Sequence, residues 1–191
     1  MPVGTMTGEG YRPTQLTPWL WVGRAADTAH TAWLKEARIT HIINCLGPES
    51  APPKAAMDLL VRGRLGYACL DSRDALGFPL FSSRPGDGGA ATNWQRVCAV
   101  LAAAQKGPGA AFIYCAAGLN RSATLAAAYV AVFGGHPLAT VARFLREARP
   151  GALSNPSFVT QLLRVVLGLP PDCKPGTATL PTTAALQGAR A

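Results

Sequence analysis

Ala111-Phe-Ile-Tyr114 runs straight into Cys115-Ala-Ala-Gly-Leu-Asn-Arg-Ser122, and the reading of that stretch decides the fold. The first four residues, unbroken by charge or glycine, read as a buried strand of four. The run from Ala123 to Phe133, with Thr124 its one polar member, reads as a helix. A loop with glycine at its centre joins them. Strand, loop and helix in this order aim several backbone N–H groups and the positive end of the helix into one small hollow, which suits an anion such as phosphate. A thiol at the lip of that hollow is expected to have a lowered pKa, because amides, helix dipole and a guanidinium all favour the thiolate. Cys115 is therefore the candidate nucleophile. Arg121 is placed to hold two phosphate oxygens at once, Ser122 to donate a hydrogen bond to the sulfur, and Gly118 stands where a Cβ would obstruct the anion.

Outward from this unit, short β-type and longer helix-type segments alternate. Strands are predicted at Trp19–Val22, Thr40–Asn44 and Tyr67–Leu70. Helices are predicted at Thr28–Ala37 with Asp27 as its cap, at Asn93–Gln105, at Pro137–Ala148, and at Pro156–Leu167 capped by Ser154 or Asn155. Trp94, Val97, Cys98 and Leu101 fall on one helical face, which makes Cys98 a core residue. The alternation predicts an α/β domain with a central, mostly parallel sheet of four to five strands flanked by helices. Residues 18–168 are expected to form that domain, with flexible tails at 1–17 and 169–191, where Gly, Thr and Pro mix without periodicity.

Composition agrees with one folded domain. Of 191 residues, 49% are hydrophobic and 15% charged, which excludes disorder along the whole chain. The longest apolar run, Ala123–Phe133, is well short of the roughly 18 residues a membrane helix needs, so no membrane association is expected. Eighteen Lys and Arg against ten Asp and Glu give a net charge of +8. Fourteen of the eighteen are arginines, which favours discrete anions held bidentately over diffuse charge. Five cysteines without a Cys-x-x-Cys pair, and no signal segment in the first ten residues, predict a reducing compartment, cytoplasmic and also nuclear. His30, His41 and His136 are scattered without ligand spacing, so neither metal nor cofactor is expected.

Phosphate-ester hydrolysis also needs a proton donor for the leaving oxygen, ideally a carboxylate on a loop. Asp71, directly after the predicted third strand, is the first choice. Asp74 is the runner-up, and Asp87 in the glycine-rich Pro85–Gly89 segment is third.

Cys-x-x-Gly-x-x-Arg-Ser after a buried strand is the signature of the cysteine-dependent protein tyrosine phosphatases. The segment Cys115–Thr124 resembles most the small atypical dual-specificity phosphatases. The likeness extends through Leu20-Trp-Val-Gly23, Ile39–Asn44, Asp71, Arg149-Pro150 and Asn155-Pro-Ser-Phe158. The resemblance implies a protein tyrosine phosphatase-like fold, a phosphorylated protein substrate and metal-free hydrolysis of phosphotyrosine and phosphoserine/threonine through a phosphocysteine. It assigns Cys115 as nucleophile, Arg121 as phosphate ligand, Ser122 as helper in breaking down the intermediate and Asp71 as acid. Ala116, Ala117, Gly118, Leu119 and Asn120 complete the substrate-binding loop, and Asn155 supports it.

Two features depart from the family pattern. The His that usually precedes the cysteine is Tyr114 here, which predicts slower turnover. The segment between Asp71 and Cys115 is longer than usual by roughly ten residues, at Ser82–Ala91.

Tyr114 keeps a second reading open, a phosphate-binding module with little catalysis. An RNA 5′-triphosphatase or a phosphoinositide phosphatase are further alternatives. Ala116, Ala117, Leu119 and Asn120 add no cation to the loop, however, so a singly phosphorylated side chain fits better and no nucleic-acid partner is expected. Cys45, at the end of a strand expected to neighbour Cys115, is a candidate resolving thiol under peroxide. Arg62, Arg64, Arg73 and Arg84 surround Asp71 in sequence and would favour acidic substrates.

Overall fold

A computed structural model describes residues 12–62, 66–82 and 91–171. Five strands form one sheet in the order β1-β2-β5-β3-β4. They are β1 (Thr14–Thr17), β2 (Leu20–Arg24), β3 (Ile39–Asn44), β4 (Gly66–Cys69) and β5 (Ala110–Cys115). The β2/β5, β5/β3 and β3/β4 pairs are parallel, and β1 alone is antiparallel, against β2. Six helices cover the two faces: α1 (Thr31–Glu36), α2 (Lys54–Arg62), α3 (Asn93–Lys106), α4 (Arg121–Phe133), α5 (Leu138–Ala148) and α6 (Pro156–Val166).

Alternation along β5 divides the core in two. Ala111, Ile113 and Cys115 face a large cluster with Val97 and Leu101 of α3, Leu125 of α4, Leu145 of α5 and Phe158 of α6. Ala110, Phe112 and Tyr114 face a smaller one with Leu34 of α1 and Ala56 of α2. Every residue from Arg121 to Val130 is buried, so α4 is the central helix of its layer; a helix apolar on all sides can only sit there. No helix among the described residues is long and apolar enough to cross a membrane.

The α/β architecture expected from the sequence is present, and four differences in detail and one settled alternative are informative. Thr14–Thr17, expected to be tail, forms β1, because its backbone pairs with the exposed edge of β2. The helix expected at Thr28–Ala37 is a 3₁₀ turn at Ala25–Ala29 followed by α1. Asp27 does cap, but earlier: its carboxylate accepts the Arg24 N–H at 2.7 Å and pairs with the Arg24 guanidinium at 3.0 Å. Helix α2, absent from the expected elements, follows Pro52-Pro53; the Pro53 carbonyl accepts the N–H groups of Ala56 and Met57, so the proline opens the helix. Cys98 is half-buried at the margin of the core, where burial pushes its thiol up to about 11. Of the two expected caps of α6, Asn155 fills the role, its Oδ1 accepting from Ser157 and Phe158 N–H.

Ser83–Ala90, most of the expected insertion and the place of Asp87, lies outside the described residues, as do Arg64, Arg84 and Cys173.

Candidate active site

β3, β4 and β5 end on the same edge of the sheet, and the loop Cys115–Asn120 begins there. Cys115 is 2% exposed. Its Sγ accepts two hydrogen bonds, from the Gly118 N–H at 3.2 Å and from the Ser122 hydroxyl at 3.3 Å. The loop thus wraps around the sulfur, as a nest built to stabilise negative charge would.

Four of the loop's carbonyls, those of Ala117 to Asn120, have named partners outside it or in the following helix. Arg149, fully buried, donates from Nη2 to Ala117 O at 3.0 Å and from Nε to Gly118 O at 2.9 Å. Leu153 N–H bonds Leu119 O at 2.9 Å, and Thr124 N–H bonds Asn120 O at 2.8 Å. With those carbonyls held by partners of their own, the Gly118 N–H faces the sulfur. Gly118 has φ +70°, and a Cβ there would meet Arg149 Nη2 at 2.5 Å and Gly23 O at 2.6 Å, so both the left-handed backbone and the close approach require glycine.

Arg121 opens α4 and is itself buried. Its Nη1 donates to Ser72 O at 2.8 Å, while its buried Nε has no partner among the described residues. A buried guanidinium N–H without an acceptor is costly unless an anion completes it. Ser72 is secured in turn by its hydroxyl on Cys45 O at 2.6 Å.

Asp71 bends the chain with φ +42°, a conformation aspartate tolerates better than most residues. Asp74, three residues on, meets the phosphate loop directly. Its Oδ2 accepts from Asn120 Nδ2 at 3.1 Å and its Oδ1 from Asn155 Nδ2 at 2.9 Å. The segment from Asp71 to Ser82 then lies on α6: Gln161 accepts from Leu80 N–H at 2.9 Å and donates to Phe78 O at 2.8 Å, and Ser157 Oγ accepts from Gly77 N–H at 2.9 Å.

Cys115, Gly118, Arg121 and Ser122 are therefore brought together, and Asn120 and Asn155 meet at Asp74. Ala116 and Ala117 are exposed on the loop. Tyr114 faces the opposite side of the sheet, stacked on Phe112, with its hydroxyl donating to Ser50 O at 2.8 Å. It reaches the site through its backbone, its carbonyl accepting the Cys45 N–H at 3.0 Å. Cys45 is fully buried near Cys115; burial and the Cys115 charge raise its thiol pKa, with Arg121 opposing.

Two contributors carry no assigned role in the sequence: Arg149, whose only signal is an Arg-Pro pair closing an amphipathic helix, and Ser72, which has none.

A thiol in an amide-lined loop, a buried arginine at the start of the following helix and a mostly parallel sheet define the protein tyrosine phosphatase-like class. The chain belongs to the dual specificity phosphatase family, residues 20–166 matching the family's catalytic domain. Dual specificity phosphatase 28 from mouse is 29% identical over 148 residues, 78% of this chain and 80% of that protein. The crystal structure of DUSP15 superposes with a TM-score of 0.65 at 23% identity, covering 81% of this chain and 86% of that one. A mouse dual specificity phosphatase solved with zinc tungstate superposes with a TM-score of 0.63 at 25% identity, covering 86% and 92%.

Proposed function

We propose that this chain is a protein phosphatase that hydrolyses phosphotyrosine and phosphoserine/threonine through a phosphocysteine intermediate. The observation that carries the reading is the Cys115 sulfur held by Gly118 N–H and Ser122 Oγ–H, with the buried Arg121 guanidinium opening the next helix. In the first step the Cys115 thiolate attacks phosphorus, the bond to the leaving oxygen breaks, and a carboxylic acid delivers its proton to that oxygen. Inward amides and Arg121 hold the equatorial oxygens as charge builds on them. In the second step the same carboxylate takes a proton from water, the water oxygen attacks phosphorus, and the S–P bond breaks. The Ser122 hydroxyl then stabilises the departing thiolate.

Asp74 is preferred to Asp71 as that acid, because its carboxylate is bonded to Asn120 of the phosphate loop. Arg121 is the only cation in Cys115–Arg121, which supports a singly phosphorylated side chain as substrate.

Tyr114 in place of the family's usual His favours a second reading, phosphate binding with slow turnover. Tungstate, the oxyanion with which the mouse relative was crystallised, separates the two. Wild type should hydrolyse an aryl phosphate, and Cys115→Ser should lose at least about 10³-fold in kcat while keeping its fold. Retained turnover in Cys115→Ser overturns the mechanism, and a wild type that binds tungstate without turnover establishes the binding module. Asp74→Asn should slow hydrolysis of a phosphotyrosine peptide by about 10²-fold or more, and Asp71→Asn far less; the reverse order returns the acid to Asp71.

A further inference from the structure

An exposed carboxylate beside the loop Cys115–Asn120 needs something to fix its direction. Asp74 is exposed and sits in a segment without regular secondary structure, where a free aspartate would sample several rotamers. The answer lies in the orientation of two amides.

Asn120 Oδ1 is fully committed to the entry of α6. It accepts Ser154 N–H at 2.9 Å, the Ser154 hydroxyl at 3.2 Å and Asn155 N–H at 3.0 Å. Two of these are backbone donors, so the oxygen must face them and the NH₂ must face the other way, toward Asp74. The same logic fixes Asn155. Its Oδ1 caps α6, so its NH₂ also points at Asp74. Each carboxylate oxygen of Asp74 therefore receives one amide whose direction is dictated by backbone N–H groups elsewhere.

We infer that Asn120 is a positioning residue, which indexes the Asp74 carboxylate onto the phosphate loop so that proton transfer is aimed before substrate arrives. The inference rests on the phosphatase reading and on Asp74 as its acid. Asn120 directly precedes Arg121, so the side chain that holds the acid shares a backbone with the one that holds the phosphate. Movement of one loop relative to the other is converted into strain in these hydrogen bonds. Asn155 is the poorer test residue, because its Oδ1 caps α6 directly; Asn120 gives α4 no side-chain cap, and the loss of its own bonds to Ser154 and Asn155 N–H is followed separately by the thermal unfolding of Asn120→Ala.

The consequence is selective. A poised acid matters when the leaving oxygen is basic, as in phosphotyrosine, where the phenol has a pKa of about 10, and hardly at all for an activated nitrophenol. Asn120→Ala is expected to lower kcat on a phosphotyrosine peptide roughly tenfold, a loss at least about threefold greater than its loss on p-nitrophenyl phosphate and greater than any rise in KM. Combined with Asp74→Asn it should add nothing. Tungstate affinity, measured in parallel, separates damage to the loop, which would cost both substrates alike, from loss of aim at the acid.

Equal losses on both substrates, or a further loss in the Asp74→Asn background, overturn the positioning role and leave Asn120 a structural brace. A slow Asp74→Asn beside an unimpaired Asn120→Ala removes this inference alone. An unimpaired Asp74→Asn removes the acid assignment first, and the positioning role with it.

Discussion

The two loops that meet at the site are built on opposite principles. The phosphate loop, Cys115–Asn120, is short, enters from the end of a fully buried strand and leaves into a helix buried along its first ten residues. The acid loop, Asp71–Ser82, is twice as long and has no regular structure of its own; it is held by single side chains reaching from α6 and α3, among them Gln161, Ser157 and Asn93. The difference teaches where each half of the chemistry gets its precision. In the proposed reaction, phosphate binding is assigned to a local backbone path, so its parts are close in sequence, and proton transfer to a segment held by tertiary hydrogen bonds, so its parts are scattered over 71–161.

One residue should break the comparison most severely, because it serves the phosphate loop from a distance. Arg149 is fully buried and distributes its guanidinium over Ala117 O, Gly118 O, Arg12 O and Thr14 Oγ1, tying β1's entry to the loop. Arg149→Met fills much of the volume but leaves those carbonyls without donors in a dry setting. A loss of about 3 kcal/mol in unfolding free energy is expected, with weakened tungstate binding. Denaturant titration and tungstate calorimetry check both. A variant with wild-type stability and affinity would mean the loop holds its shape unaided.

This division also explains what is legible in the sequence. The Cys115–Ser122 unit can be read because strand, glycine and helix signals are contiguous and each element is strongly apolar. The acid cannot be chosen that way. Asp71 and Asp74 both follow the same strand, and what favours Asp74 is a pair of amides, those of Asn120 and Asn155, dozens of residues downstream. Helix α2 is hidden because Pro52-Pro53 reads as a loop while the second proline in fact supplies the first helical acceptor. Strand β1 is hidden because its pairing partner, the edge of β2, is a tertiary fact. Arg149 stands out in the sequence only through the family likeness of Arg149-Pro150, which gives it no role; its burial against the carbonyls of Ala117 and Gly118 is a tertiary fact.

A second prediction sharpens the contrast from the acid-loop side. Gln161 accepts from Leu80 N–H and donates to Phe78 O, both within the acid loop. Gln161→Ala should cost about 2 kcal/mol, because two backbone groups lose their partner. It should lower kcat on a phosphotyrosine peptide more than it alters tungstate affinity. Affinity and kcat falling together would show that the two loops are one mechanical unit, and the distinction drawn between them would fail.

Tyr114 gives the smallest effect, and it tests whether the phosphate loop needs support from the far face of the sheet. Its hydroxyl donates to Ser50 O at 2.8 Å in the turn that Asn44 folds by donating to Gly47 O at 2.7 Å. Tyr114→Phe removes that bond and the hydroxyl's contact with Tyr67 while keeping the ring, so a loss of about 1 kcal/mol is expected. Burial pushes the hydroxyl's pKa well above its ordinary value, so the folded protein keeps the phenol neutral. The unfolded chain ionises near its ordinary pKa of about 10. Between those two values the unfolded state binds fewer protons than the folded one, and stability falls as pH rises. The deficit of Tyr114→Phe should therefore be constant below pH of about 10 and shrink above it, as wild type alone loses the share of stability that Tyr114 contributes. Tungstate affinity should hardly change, because the side chain lies on the face of β5 opposite to Cys115. A large loss of affinity instead would show that the strand transmits strain from Tyr114 to its neighbour, and would make the residue before the cysteine part of the phosphate site after all.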